Sequence, residues 1–337
     1  MSQEEPQFRD LTDEELRSMF LAAASGNTAD ANHFFGSFKY VHDLFNGNHS
    51  AALNQGLSLL TKCRSIDENA YARIHKGTAY YWLGTAAFLV HDYQTATFFY
   101  DAAVSEDLRA GNDPVNNSTP ALRFIQIEGE QPHQAARPLV MATQARIEEI
   151  IDNYNKRPGR PTNVPDFHIL QLRERFLRLA VSQGYEGWRS LATVLISFVL
   201  EWDYRSALLD LRVGQGTAEP FFIHLFKGCV LFESLLKANP KDPPPRGRST
   251  LIGILQYLHK HLGLPHDIKI GETDFTTILQ ELNHADNSIP TAVRFAGKIR
   301  NTVGHDLGWV VQFDKTQYHL LFQMVAVSCL HSIACLY

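Results

Sequence analysis

Apolar residues recur at helical spacing along almost the whole chain, and this periodicity constrains the fold more than any other feature. The first helix has a clear start signal, because Thr12 stands three residues before Glu15 in the spacing of a capping box. Further helices are predicted over residues 30–46, 50–64, 68–90 and 93–109. The best strand candidate, residues 124–127, is short and isolated. The sequence therefore predicts an all-α protein.

Composition and charge narrow the function classes. The 337 residues are 45% hydrophobic and 20% charged, which is ordinary globular usage and enough chain for about two domains. The formal net charge is −5, from 31 Lys and Arg against 36 Asp and Glu. Proteins that coat duplex nucleic acid are normally basic, so any contact with nucleic acid is expected to be a local patch.

Cysteine usage and hydropathy predict that the protein is located in the cytoplasm. None of the four cysteines forms a C-x-x-C pair, and their scatter is typical of a reducing compartment. The first six residues are acidic and polar, unlike a secretory signal. The longest apolar stretch, 191–200, is shorter than the roughly 20 residues that cross a bilayer. No membrane association is expected.

Proline-rich segments suggest how the chain is divided. Residues 155–165 contain three prolines and a glycine, which predicts a linker between an N-terminal domain, 1–155, and a C-terminal domain, 165–337. A second such stretch, 239–248, has helical patterns on both sides and is interpreted as a loop inside the second domain.

Both proline-rich segments carry basic side chains, which we interpret as solvated and able to guide an RNA backbone if they flank an active site. These residues are Lys156, Arg157, Arg160, Lys241, Arg246 and Arg248.

One helix pair in the N-terminal domain resembles a tetratricopeptide repeat. Small and aromatic residues stand at the repeat offsets: Tyr80, Leu83, Gly84, Ala87, Ala96, Tyr100 and Ala103. Gly84 and Ala96 would let two antiparallel helices approach closely, while Tyr80 and Tyr100 fill the gap. Only one copy is clear, so an ordinary α-hairpin with a small-residue seam remains an equal alternative. A tetratricopeptide-like domain would imply a protein partner.

A polar group near the C-terminus is the strongest candidate for chemistry. An apolar stripe at helical spacing precedes it, formed by Val293, Ala296, Ile299 and Val303. Gly304 is a natural helix terminator. Arg300, Asn301 and His305 are therefore expected to gather, exposed, at one helix end, where the macrodipole favours an imidazolium.

This grouping suits scission of RNA by the neighbouring 2′-hydroxyl. The reaction needs a proton acceptor and a proton donor, and histidine titrates in the useful range, with an ordinary pKa of about 6.5. It also needs positive charge on the phosphate, which a guanidinium supplies in a bidentate fork. Asn301 could orient the phosphate or hold the arginine. No metal and no cofactor is required, and the histidines at 259, 261 and 266 are interpreted as a solvated helix end.

The segment Arg300-Asn301-Thr302-Val303-Gly304-His305 resembles the R-[N/D/H]-x-x-x-H signature of HEPN-domain ribonucleases. Two further segments agree with this family: the helix Phe226–Lys237 with its embedded Glu-Ser-Leu-Leu, and the apolar closing helix Tyr318–Leu336. The resemblance covers roughly 186–337. The family consists of helical domains in prokaryotic antiviral, toxin and CRISPR-associated effectors.

The resemblance implies a metal-independent endoribonuclease that cuts single-stranded RNA and leaves a cyclic phosphate. It further implies a homodimer whose two Arg–His sets build one composite site. In this sequence Arg300 would clamp the phosphate, His305 would act as acid and base, and Asn301 would orient. Glu233 is added as a residue that pairs with Arg300.

Two other functions remain open. The C-terminal domain could be an inactive relative that binds RNA or a nucleotide, with the N-terminal domain as an adaptor. Alternatively, it could be a structural homodimer in which Arg300 only caps a helix or forms an ion pair.

Overall fold

The computed structural model describes residues 11–26, 34–116, 118–128, 136–182, 186–211, 217–271, 273–304 and 314–337. Within these ranges every regular element is a helix, which confirms the predicted all-α class. The chain divides into two compact units, residues 1–140 and 141–337.

Seven helices of unit 1 lie wholly within the described residues. They are α1 (Asp13–Ser25), α2 (Lys39–Phe45), α3 (His49–Ile66), α4 (Glu68–Arg73), α5 (Gly77–Leu89), α6 (Tyr93–Arg109) and α7 (Pro120–Ile125). Helix α1 begins as predicted, because Thr12 accepts from the Glu15 backbone N–H while the Glu15 carboxylate accepts from the Thr12 backbone N–H.

Three predictions for unit 1 are wrong in detail. The predicted helix 30–46 is interrupted in its described part at residues 37–38, because Phe38 is extended before α2 begins at Lys39. Residues 68–90 form two helices, because Lys76 turns its side chain back and Nζ donates to the carbonyls of Tyr71 (2.8 Å) and Ile74 (2.7 Å) at the end of α4. Residues 124–127 are not a strand, since the first two of them are the last residues of α7. This helix has a clear start signal: the Thr119 hydroxyl accepts from the Leu122 backbone N–H, and proline stands at the first helical position.

Helices α5 and α6 form the close pair that the small residues predict. Gly84 lies against the Tyr100 ring, and a Cβ there would be 3.1 Å from a ring carbon. The other face of Tyr100 stacks on Phe124, with ring centroids 3.9 Å apart. Ala96 is fully buried in the same seam, whereas Tyr80 lies at its margin and contacts the Phe99 ring.

Unit 2 contains the remaining helices. They are most of α8 (Arg137–Asn155), then α9 (Ile169–Leu172), a π-helical segment (Arg173–Leu177), α10 (Arg178–Ser182), α11 (Glu186–Leu211), α12 (Glu219–Lys237), α13 (Leu251–Leu258), α14 (Phe275–Leu282), α15 (Ile289–Val303) and α16 (Lys315–Leu336). Helix α12 packs against α11, α15 and α16 and so lies at the centre of the unit.

The division between the units lies earlier than the proline-rich segment that was predicted to separate them. The end of α8 is bonded to α16, since Tyr154 pairs with His331 (3.2 Å) and Asn153 with Gln323 (2.9 Å). The proline-rich segment also folds onto unit 2, where the Pro158 carbonyl accepts from the Ile289 backbone N–H (2.9 Å). Residues 141–165 are therefore part of the C-terminal unit.

Helix α16 is long and apolar enough to span a membrane, unlike the shorter stretch 191–200 that the sequence singled out. In the structure 89% of its most apolar window is buried inside unit 2. A helix that is apolar on all sides is expected at the core of a bundle. Helix α16 is thus a buried core helix, against which α11, α12, α14 and α15 pack.

Candidate functional site

The C-terminal end of α15 carries the residues singled out by the motif. Ser288 caps the start of this helix by accepting from the Thr291 backbone N–H. The predicted apolar stripe is buried, which fixes the rotation of the helix in unit 2. The helix ends at Val303, and Gly304 follows as its C-cap with a helical φ of −67°. Arg300 and Asn301 are therefore in the last turn.

Arg300 is held by one buried carboxylate. Its Nε donates to Glu233 Oε2 at 2.7 Å, as the sequence expects of this pair. The Glu233 side chain is 7% exposed and that of Arg300 is 34% exposed. Glu233 binds only Nε, and the two terminal guanidinium nitrogens make no hydrogen bond to any described residue. That free edge is the one that binds two oxygens of a phosphate end-on.

A second cation shares the same carboxylate. Lys237 lies one turn after Glu233 on α12, and its Nζ is 2.5 Å from Glu233 Oε1. Two positive side chains therefore surround one negative one, which leaves a local excess of positive charge at this end of α15. The motif did not identify Lys237, although the i, i+4 spacing of Glu233 and Lys237 is the signal that could have done so.

Asn301 and Thr302 hold the loop that precedes α14 against the C-terminal end of α15. The Asn301 amide donates to the Ile270 carbonyl (2.7 Å), and the Thr302 hydroxyl donates to the Thr273 carbonyl (2.7 Å). Among the described residues, Asn301 makes no contact with Arg300 that would hold the guanidinium. Asn301 therefore orders the loop before α14, whereas Glu233 orients Arg300.

His305 lies outside the described residues, which stop at Gly304 and resume at Asp314. The predicted site residues therefore fall into three groups. Arg300 and Glu233 are brought together, Asn301 lies beside them with its amide on the loop, and the histidine follows the exposed Gly304 by one residue.

A second polar cluster joins α11 to α12 and was missed by the sequence interpretation. Glu201 is buried, with Lys227 Nζ at 2.5 Å from Oε1 and Arg205 at 3.1 Å from Oε2. Burial opposes its charge, but these two cations hold the pKa of the Glu201 carboxyl below its ordinary value. The i, i+4 spacing of Glu201 and Arg205 on α11 is the sequence signal that could have identified this cluster.

His224 is buried beside this cluster and is neutral. Its Nε2 donates to the Phe198 carbonyl (2.7 Å), and its Nδ1 accepts from the Tyr318 hydroxyl (2.6 Å). Burial lowers the pKa of His224 to about 3. A ring with both nitrogens occupied and no access to solvent has a structural role.

Among the residues that the structure describes, no group of three or more His, Cys, Asp or Glu side chains lies close enough together to hold a metal ion. Comparisons with protein-family models, curated proteins and solved structures find no match to this chain. The resemblance to HEPN ribonucleases is thus carried by the motif and its two supporting segments.

Proposed function

We propose that unit 2 is a metal-independent endoribonuclease that cleaves single-stranded RNA as a homodimer, in a prokaryotic antiviral, CRISPR-associated or toxin role. The observation that supports this most is the Arg300–Glu233 pair. It fixes a guanidinium at a helix end while leaving its terminal nitrogens unbonded and partly exposed.

The proposed chemistry needs only protein groups. The 2′-oxygen of the RNA attacks the adjacent phosphorus and loses its proton to a base, as the new P–O bond forms. The bond from phosphorus to the 5′-oxygen breaks, and that oxygen takes a proton from an acid. The products are a 2′,3′-cyclic phosphate and a 5′-hydroxyl. Histidine is suited to both proton transfers near neutral pH, and we assign them to His305.

Arg300 would stabilise the charge that develops on the non-bridging oxygens. A bidentate guanidinium matches two phosphate oxygens in geometry and charge. Glu233, in turn, is a positioning residue, because it is buried and contacts Arg300 on the side away from the free edge. Asn301 is a positioning residue of the same site, acting through the Ile270 carbonyl.

A homodimer would supply the second proton-transfer group. One chain carries a single Arg300–His305 set, whereas the reaction uses an acid and a base in the same step. Two sets facing each other across a two-fold axis would provide both. An isologous contact of this kind is the commonest form of homodimer.

The test is cleavage of a fluorescent single-stranded RNA in EDTA. We expect wild-type protein to cut it and to leave cyclic phosphate ends that mass spectrometry identifies. Loss of a general acid–base group costs about 100- to 10,000-fold in rate, and we expect a decrease of that size for His305→Ala. A substrate with 2′-O-methyl groups throughout should resist cleavage, since its attacking hydroxyl is blocked.

Matched variants separate the site from the fold. His284 is exposed on a loop of the same unit, so His284→Ala should cleave at the wild-type rate. Arg300→Lys keeps the charge but loses the planar fork, and we expect it to fall between wild type and Arg300→Ala. Equal cleavage by wild type and His305→Ala would overturn the proposal.

The contacts of Asn301 and Glu233 favour one alternative, a binding module without catalysis. Both side chains bond to protein groups at the helix end, as a rigid binding surface requires. In that case wild type and His305→Ala would bind the RNA equally and neither would cut it. Arg300→Ala would then weaken binding, and the N-terminal unit would act as an adaptor for a protein partner.

A further inference from the structure

Arg157 was interpreted from the sequence as a solvated loop residue, but it is buried in unit 2. Only 4% of its surface is exposed. It follows the end of α8, and its backbone N–H donates to the Tyr154 carbonyl. A buried charge is costly unless another group compensates it, so its surroundings should contain an anion or several acceptors.

The described residues provide almost no compensation. Arg157 Nη1 lies 3.4 Å from the Met324 sulfur, which is a weak acceptor. Arg157 Nε is buried and has no partner, and Nη2 makes no hydrogen bond to a described residue. Burial is the only cause that shifts its pKa, which falls to about 10, so no carboxylate acts on it. The free Nε–Nη2 edge is the side-on edge that accepts a carboxylate or phosphate.

A cavity of about 300 Å³ within unit 2 is lined in part by Arg157. Its lining includes Arg157, Asn153, His319 and Gln323. Gln323 is 2% exposed; its carbonyl accepts from Asn153 (2.9 Å), which leaves its Nε2 amide buried without a partner. Two residues that each carry a buried donor without a partner therefore line one cavity, and its volume is at the lower end of small-molecule sites.

The acidic residue that also lines the cavity is engaged elsewhere. Asp286 is exposed and accepts from the Ser288 backbone N–H (2.9 Å), and the charge that acts on it is that of Arg294. It is therefore not the counter-ion of Arg157. The neighbouring Arg160, by contrast, has its own carboxylate, Asp166, at 2.8 Å.

We propose that this cavity binds the anionic group of a small molecule, a phosphate or a carboxylate, through the Nε–Nη2 edge of Arg157 and the Gln323 amide. Two oxygens of the anion would accept from the guanidinium and one would accept from Gln323, which gives a partner to the unbonded Nε of Arg157 and to the Gln323 amide. The remaining volume would hold only a compact ligand body. This site is separate in sequence from Arg300, and its proposal does not depend on RNA cleavage.

Binding is tested by thermal unfolding of the full chain with inorganic phosphate or malonate, with ionic strength held constant by potassium chloride. At a ligand concentration ten times Kd, stabilisation by binding raises the Tm of a unit of this size by about 3–6 °C. A rise with phosphate alone identifies a phosphate ligand, and a rise with malonate alone identifies a carboxylate. No rise with either anion would overturn the proposal.

Three variants separate specific binding from a general salt effect. Arg157→Met removes the charge and keeps an apolar stem, so the anion-dependent rise should disappear. Arg160→Met, in the same segment, should respond as wild type does. Gln323→Glu places a fixed carboxylate at the cavity; it too should abolish the rise, and it serves as the test if Arg157→Met does not fold. A rise of equal size in wild type, Arg157→Met and Gln323→Glu would contradict the proposal.

Discussion

The two arginines of unit 2 that we propose to bind anions differ in what binds their Nε. In Arg300 a buried carboxylate occupies Nε and leaves the terminal nitrogens free, whereas in Arg157 Nε itself is unbonded. The first arrangement presents the end of the guanidinium to a ligand, and the second presents its side. The same residue type therefore serves two geometries, and sequence alone does not distinguish them.

Glu233→Gln tests whether the carboxylate positions Arg300. The amide has nearly the same shape but loses two charge-assisted contacts, to Arg300 and Lys237. We expect a stability loss of about 1 kcal/mol, since both cations are partly solvated. RNA cleavage should fall through kcat, with little change in KM. Lys237→Gln is the control, and a kcat as low as that of Glu233→Gln would show that charge, not orientation, matters.

Two buried histidines predict acid sensitivity of unit 2. His331 repeats the arrangement of His224: Nε2 donates to the Leu262 carbonyl (2.8 Å), and Nδ1 pairs with the Tyr154 hydroxyl (3.2 Å). Burial lowers the pKa of His331 to about 4 and that of His224 to about 3. In the unfolded chain the value is about 6.5, so acid protonates the unfolded state first.

The free energy of unfolding should therefore be highest above pH 6.5 and should fall as the pH drops from there toward 4. In His331→Gln, the pH slope between 6.5 and 4 should decrease by about one proton, because the amide does not titrate. His284→Gln, at an exposed position, is the control. Urea unfolding at pH 7, 6 and 5 measures the slopes. An unchanged slope in His331→Gln would show that this ring is not buried in its neutral form.

At the scale of elements, close helix contacts depend on single glycines. Gly228 on α12 faces both neighbours: a Cβ there would be 2.5 Å from the Phe198 ring and 2.6 Å from a Val325 methyl. The Phe198 ring cannot retreat, since it stacks on His224 with centroids 4.7 Å apart. This glycine thus sets the spacing of α11, α12 and α16.

Gly228→Ala should destabilise unit 2 by about 2–3 kcal/mol, because overpacking a core forces backbone shifts. Gly187→Ala on α11 meets no atom within 4 Å and should be neutral or slightly stabilising through helix propensity. Denaturant midpoints at constant m-value give both numbers. A midpoint for Gly228→Ala equal to that of wild type would mean that α12 can shift without cost.

The sequence predicted elements best where local signals agree with packing. The capping box at Thr12 and the bounds of α6 follow from neighbouring residues alone. The break after Arg73 depends on the Lys76 side chain folding back, and the burial of Arg157 depends on α16, which is more than 150 residues away in sequence. In the candidate site the Arg300–Glu233 pair was predicted from the motif together with the Glu-Ser-Leu-Leu helix. Lys237 and the loop contact of Asn301 were not weighed, because they depend on how α12 and Ile270 reach the helix end.

At the scale of the whole molecule, the proposed composite site makes a specific demand on assembly. If His305 of one chain is the base and His305 of the other is the acid, a dimer needs both imidazoles to cleave RNA. A dimer of wild type with His305→Ala holds only one imidazole and should be inactive. Adding a tenfold excess of His305→Ala to wild type, with time for subunit exchange, should therefore lower the cleavage per wild-type chain by about tenfold, because few wild-type chains then pair with each other. The same excess of His284→Ala is the control and should leave the rate unchanged. If sedimentation shows mixed dimers but cleavage per wild-type chain does not fall, each chain acts with its own residues, and the two-chain site is wrong even though a single-chain nuclease would remain.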